Sequence, residues 1–300
     1  MMPAEQTLVV GATGFLGAEI TRRLRSAGRP VRAMVRKGTT SDKLATLNGL
    51  GVEACTADLK DDKSLEQACQ GVTCVISTAS AMLSRQDGDS IETVDEQGQL
   101  NLIATAERLG VQRFVFLSFP PSSPDFTLQR AKRRVEKRLG VGRMAFTVLQ
   151  PTFFTETWLS PALGFDPAQG RARIFGDGHG PVSWISIHDV ARFAVAASEG
   201  NGFAGKVIPL GGPDSLSQLQ VLQIFEELGG PTCVLDHVPE PALEAQFSNA
   251  ANSIEEAFAA LMLTVSRGIT LDARHEVQLL PGRLVTVREY ASRLLKTRTG

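Results

Sequence analysis

Three glycines spaced three apart, Gly11, Gly14 and Gly17, stand near the start of the chain in Thr7-Leu-Val-Val-Gly11-Ala-Thr13-Gly14-Phe15-Leu16-Gly17-Ala-Glu-Ile. A backbone without Cβ atoms can turn tightly through positive φ and bring its N–H groups against a diphosphate. Where a strand enters such a turn and a helix leaves it, the first helical N–H groups and their partial positive charge face the same anion. That context is present. Leu8 to Val10 is a short apolar run bounded by glycine and reads as a buried strand, while Ala18, Ile20 and Leu24 recur at helical spacing. Thr13, Phe15 and Leu16 belong to the same candidate cradle. The pattern departs from G-x-G-x-x-G, with Ala12 and Thr13 ahead of Gly14. Glycine-rich turns also occur as purely structural devices, so the strand–turn–helix setting carries the reading.

The second chemical signal lies at the end of the next strand, Val31 to Val35. An NAD site places an acidic residue about 20 residues beyond the glycine turn, on the ribose 2′-OH. Here Arg36 and Lys37 follow the strand. A carboxylate repels a 2′-phosphate, whereas a guanidinium can hold it in a charge-assisted, bidentate bond. The pair therefore points to NADP(H), with a solvated basic pair at a strand end as the competing reading. Val52 to Thr56 is a third strand leading to Asp58, which can accept from an adenine amino group, and Leu59, which can line the ring. Capping of the following helix falls to Asp61 or Asp62. Val72 to Thr78 is a fourth strand, and the small residues Thr78, Ala79 and Ser80 at its carboxyl end leave room for a cofactor.

These residues need a scaffold, and the pattern supplies one. Strands alternate with helical segments through Arg113 to Leu117, giving a doubly wound α/β fold with a parallel sheet and its ligand outside the strands' carboxyl ends. Residues 1–155 form the expected dinucleotide-binding Rossmann domain, with 182–210 returning to it, and 156–300 form mainly a smaller substrate-side lobe. A formal net charge of −1 over 300 residues excludes a general electrostatic attraction to nucleic acid or an acidic membrane. No apolar run reaches the roughly 18 residues of a membrane-spanning helix. The N-terminal residues lack a basic stretch ahead of an apolar one, so a cytoplasmic protein is expected. Cys55, Cys69, Cys74 and Cys233 show no C-x-x-C pair, and His179, His188, His237 and His275 no metal-ligand spacing, so neither a disulfide framework nor a metal is expected.

The order Gly11-Ala-Thr-Gly-Phe-Leu-Gly17, Asp58-Leu59, Asp95-x-x-Gly98-x-x-Asn101, Gly110-Val-Gln-Arg113-Phe-Val-Phe-Leu-Ser118 and Lys132-x-x-x-Glu136 resembles the short-chain dehydrogenases/reductases, in their atypical NmrA-like and isoflavone-reductase-like branch. The resemblance covers most of the chain and is strongest up to Asp189. It implies NADP(H) binding by Gly11 to Gly17, Arg36, Asp58 and the end of strand four. It also implies a lysine, Lys132, near the nicotinamide ribose, where it either binds ribose hydroxyls or acts as the general acid. Ser118 falls where the superfamily keeps a hydroxyl that orients a substrate carbonyl; a serine ending a strand is the alternative.

The chain departs from the superfamily in its proton donor. It has one tyrosine, Tyr290, followed four positions later by Leu294, and the residue four before Lys132 is Leu128. A leucine cannot donate a proton, so the Tyr-x-x-x-Lys mechanism is absent. The family's Arg-Pro is Gln150-Pro151 here. Pro151 passes the expected nicotinamide site and, with Phe153, is expected to contact the cofactor there, while Phe153, Phe154 and Trp158 are candidates for an apolar substrate wall or simply for core. Asp189 is expected to cap a helix over Val190 to Ala197. Two functions fit: an NADPH-dependent reductase of a small apolar carbonyl, enone or quinone, or a non-catalytic NADP(H)-binding redox sensor acting through a protein partner. A directly DNA-binding regulator has no motif behind it.

Overall fold

A computed structural model describes residues 5–83, 86–272, 278–280 and 282–296. The first four residues, Ser84, Arg85 and His275 are among those outside the described residues. Along the chain run β1 (Thr7–Val10), α1 (Phe15–Ser26), β2 (Val31–Val35), α2 (Ser41–Gly49), β3 (Glu53–Thr56), α3 (Asp62–Cys69) and β4 (Cys74–Ser77). A π-helix over Ile91–Gly98 continues into α4 (Gln99–Arg108), followed by β5 (Arg113–Leu117), α5 (Thr127–Gly140) and β6 (Ala145–Pro151). Then come α6 (Thr155–Trp158), β7 (Phe165–Asp166), β8 (Arg171–Phe175), β9 (Val182–Ser183), α7 (Ile187–Glu199) and β10 (Lys206–Leu210). The last elements are β11 (Ser215–Leu216), α8 (Gln218–Glu227), β12 (Val234–Val238), α9 (Glu240–Ser248), α10 (Ser253–Arg267) and α11 (Val287–Lys296).

The chain divides into two compact units. The first, residues 1–118, 128–150 and 190–208, is organised on a seven-stranded sheet of order β10-β6-β5-β4-β1-β2-β3. Its pairings from β3 through β6 are parallel. Every residue of β1 and β4 is buried, as strands covered on both faces require. On α1, Ile20, Thr21 and Leu24 turn to the core while Glu19 binds Arg22 and Arg23 outside it. β1 pairs with β2 on one side and β4 on the other, so the strand order reverses there. A doubly wound sheet opens its ligand crevice at the carboxyl end of such a reversal. The glycine turn leaves β1 at that end.

The second unit, residues 119–127, 151–189 and 209–300, has a three-stranded sheet of order β12-β8-β7 and the β11-β9 pair. Phe153, Trp158, Phe165, Phe175, Trp184 and Phe225 lie in its core. Two caps there follow from local sequence: Ser217 and Gln220 close a capping box on α8, and Thr286 and Glu289 bond reciprocally at the start of α11. Asp189 is a correction. The helix begins at Ile187, whose N–H donates to Glu156 Oε2, and Asp189 Oδ2 instead accepts from Val285 N at 2.7 Å. Sequence spacing marked a capping residue but could not tell which N–H it would serve. Among the described residues no helix is long and apolar enough to cross a membrane.

Candidate functional site

The turn after β1 needs its glycines for two distinct reasons. Gly11 has φ +87°, and a Cβ on it would lie 2.6 Å from Thr78 Oγ1. A Cβ on Gly17 would lie 2.1 Å from Gly11 O, so only glycine lets α1 pack this closely on the turn. Gly14 N donates to Gly11 O at 3.0 Å, and Ala18 N makes the first helical bond, to Gly14 O at 2.8 Å. The N–H groups of Phe15, Leu16 and Gly17 therefore precede the first helical hydrogen bond. No side chain caps this end, and its first turn holds no acidic residue. The Phe15 side chain is exposed and Leu16 is buried. Thr78 holds the turn from the neighbouring strand end, its N–H and Oγ1 both donating to Val10 O. Ala79 and Ser80 follow it, half-buried, with Ala79 O accepting from Gln99 Nε2 at 3.4 Å.

At the end of β2, Arg36 Nη1 contacts Asp89 Oδ2 at 2.5 Å, and Lys60 Nζ contacts the other oxygen of the same carboxylate. Lys60 Nζ also lies 3.6 Å from Asp58 Oδ2, while Asp58 Oδ1 accepts from Lys60 N at 2.8 Å. Lys37 is exposed, and its carbonyl accepts from Gln86 Nε2 at 3.1 Å. Leu59 is buried under the π-helix: a Cβ on Gly98 would fall 2.7 Å from Leu59 Cβ. The structure thus brings Arg36 and Asp58 together through two residues that sequence reasoning missed. Lys60, two positions past Asp58, was within reach of a charge-pattern reading; Asp89, in a polar loop, carried no signal.

Lys132, on α5, is 5% exposed. Its Nζ lies 3.0 Å from Oδ1 of Asp95, which is fully buried, and 4.9 Å above the Phe116 ring. At that distance Asp95 Oδ1 is an ion-pair partner, although it lacks a well-aligned hydrogen bond. Asp95 Oδ2 accepts from Ala81 N at 2.8 Å, tying the chain after β4 to the π-helix. Leu128, where the superfamily's tyrosine would stand, is buried. Ser118 N donates to Leu149 O at 2.8 Å, extending the β5–β6 ladder, and strand alternation then puts its side chain on the Phe116 side of the sheet. The Ser118 hydroxyl is buried with no hydrogen-bond partner among the described residues. Lys132 and Ser118 therefore both lie beside Phe116 at the carboxyl end of β5. Three further basic residues of α5 bind carboxylates: Arg133 with Glu136, Arg134 with Glu96 and Arg138 with Glu107. Gln150 donates to Glu136 Oε1 at 3.0 Å.

In the second unit, Pro151 ends β6, and Phe153 is buried edge-on to Trp158, with ring centroids 4.7 Å apart. Its surroundings are those of a core residue. Tyr290 donates its hydroxyl to Leu159 O at 2.7 Å, and burial pushes its pKa up, so it is a packing residue of α11. A cavity of about 270 Å³ lined by Glu5, Arg29, Arg113 and Glu199 lies at the amino ends of the first unit's strands, away from the glycine turn. Among the described residues no group of three His, Cys, Asp or Glu side chains can hold a metal ion.

The chain is similar to several known proteins. It is 31% identical over 275 residues to a (4-alkanoyl-5-oxo-2,5-dihydrofuran-3-yl)methyl phosphate reductase of Streptomyces griseus, covering 86% of this chain and 90% of that one. It is 28% identical over 241 residues to the photosystem II assembly factor Ycf39 of Synechocystis sp., covering 79% and 72% respectively. The NADPH-dependent quinone oxidoreductase of Escherichia coli, solved in complex with NADPH, superposes with a TM-score of 0.74 at 21% identity, over 96% of this chain and 99% of that one, and so shares the fold. The model of the NmrA-like family matches residues 3–291. By that match, and by its seven-stranded Rossmann-like sheet, the chain belongs to the NmrA-like family.

Proposed function

We propose that the protein is an NADPH-dependent reductase of a small apolar carbonyl, enone or quinone, working without the tyrosine of the Tyr-x-x-x-Lys pair. The observation that carries the proposal is the strand–glycine turn–helix at the sheet's reversal point, with Arg36 at the end of the adjacent strand. The reductase relative and the NADPH-bound neighbour support it. The residues present fit a dinucleotide: a cradle that a Cβ would fill, uncapped helical N–H groups, and cations at the ribose end. NADPH, when bound, supplies the hydride. In this reading the N–H groups after Gly14 hold the diphosphate, Arg36 binds the 2′-phosphate, and Asp58 lies at the adenine end. Thr78 to Ser80 border the crevice. Lys132 presents its ammonium to the ribose hydroxyls, and Ser118 directs its hydroxyl at the substrate oxygen. The Asp95 pairing favours this holding role for Lys132 over proton transfer, because a neutral lysine would leave Asp95 buried without its counter-charge. Water then protonates the product, which a quinone tolerates well, since hydride transfer to it requires chiefly positioning. The second unit, residues 119–127, 151–189 and 209–300, is assigned to substrate selection.

The second reading, a redox sensor acting through a protein partner, draws on the buried leucine at the tyrosine position and on the similarity to an assembly factor. Titration with NADPH, NADP+, NADH and NAD+, followed by a quinone panel monitored by NADPH absorbance, separates the two. Quinone-dependent oxidation establishes the reductase; tight binding without turnover favours the sensor. NADH binding as tightly as NADPH would overturn the role given to Arg36.

A further inference from the structure

We propose that Asp89 is an internal stand-in for the cofactor's 2′-phosphate, bridging Arg36 and Lys60, and that it sets how strongly the protein prefers NADPH over NADH. This rests on the proposed dinucleotide site and adds two residues to it. Asp89 Oδ2 contacts Arg36 Nη1, and Asp89 Oδ1 contacts Lys60 Nζ. The exposures are asymmetric: the Asp89 side chain is 2% exposed, whereas Arg36 is 40% and Lys60 29% exposed. The anion is enclosed while both cations keep an open face. A second tie brings the same loop to this strand end, Gln86 Nε2 donating to Lys37 O, and Asp89 N donates to Gln86 O within the loop.

A tetrahedral phosphate and a carboxylate both accept from Arg and Lys, so they compete for the same donors. A 2′-phosphate arriving at Arg36 either displaces the Asp89 carboxylate into water or binds beside its charge, and both routes weaken binding. A 2′-hydroxyl meets neither penalty. Asp89 therefore holds the preference for NADPH below what Arg36, Lys37 and Lys60 would give against Asp58 alone, and Lys60 is a second phosphate-binding residue.

The test measures binding rather than turnover, by calorimetry with NADPH and NADH and with the half-molecules adenosine 2′,5′-bisphosphate and 5′-AMP. Asp89→Asn is expected to bind the bisphosphate and NADPH about tenfold more tightly, with 5′-AMP and NADH unchanged. Asp89→Glu should keep the wild-type ratio. Lys60→Gln should bind the bisphosphate about tenfold more weakly, again without moving 5′-AMP. That variant keeps Asp89 in place, so it tests the cradle even where Asp89→Asn fails to fold. Unchanged or weaker bisphosphate binding by a folded Asp89→Asn would overturn the proposal, since Asp89 would then be orienting Arg36 for the phosphate. An unaltered bisphosphate affinity in Lys60→Gln would overturn it too. In either case wild-type binding of NADPH leaves the dinucleotide site standing. If wild type and variants bind none of the four ligands, the site itself fails and the proposal fails with it.

Discussion

Replacing Lys132 by methionine should reveal how much the first unit depends on its buried ion pair. Asp95 is fully buried, the Lys132 side chain is 6% exposed, and Nζ is 3.0 Å from Oδ1. Methionine keeps most of the aliphatic stem and removes the charge, so the loss is chiefly that of an uncompensated carboxylate in the interior. Breaking such a pair from one side costs about 3–5 kcal/mol, and loss of the cation over Phe116 adds to it. With a urea slope of about 2 kcal/mol per molar, the midpoint should fall by roughly 2 M. The probe matters, because both tryptophans, Trp158 and Trp184, belong to the second unit. Helical circular dichroism should therefore record an early loss that tryptophan fluorescence misses, if the units unfold separately. The double variant Asp95→Asn/Lys132→Met removes both charges and keeps an oxygen for Ala81 N, so it should recover to within about 1 kcal/mol of wild type. A Lys132→Met protein as stable as wild type, or a double variant no better than the single one, would refute the argument. The double variant, being folded, is also the proper background in which to read the loss of cofactor affinity expected from removing Lys132.

The two roles of the glycine turn separate by substitution. Gly17→Ala should destabilise the protein by about 1–3 kcal/mol, because its Cβ meets Gly11 O. Gly14→Ala, whose Cβ would sit 3.4 Å from that oxygen, should leave the melting temperature nearly unchanged yet weaken NADPH binding; equal loss of stability in both would contradict this. Burial pushes the thiols of Cys69 and Cys74 up to about 12. At pH 8 about one part in 10,000 of each is then thiolate, so both should resist alkylation until urea unfolds the chain. The Arg283 guanidinium and the Thr286 N–H hold Glu289 down at about 2. A depressed carboxylate stabilises the fold above its unfolded value of about 4.3, and the contribution is lost as pH falls from there toward 2. Glu289 is exposed, so the effect is small and screened by salt. The stability gap between wild type and Glu289→Gln should be present at pH 7 and narrow by pH 3, and a gap that widens in acid would refute the assignment.

Local chemistry explains what was legible before any coordinates. A strand too short for a helix, three glycines and an amphipathic stripe determine β1, the turn and α1 among themselves, and apolar runs bounded by glycine marked β2 and β5 at Val31–Val35 and Arg113–Leu117. Caps are equally local: of the two candidates ahead of α3, Asp61 takes the role, its Oδ1 accepting from Lys63 N at 3.1 Å. Strand alternation with helices was enough for the doubly wound class, because parallel strands need covered crossovers.

Other features were decided by tertiary structure alone. The π geometry of Ile91–Gly98 has no local cause in residue types and goes with Gly98 packing on Leu59. Phe153 could have been pocket wall or core, and burial against Trp158 and Trp184 depends on where other segments fold. Asp89 meets Arg36 across 53 residues and Asp95 meets Lys132 across a helix and a strand, so neither pair has a spacing that sequence could register. Composition and spacing set which charges the chain owns; the sheet order set which of them meet.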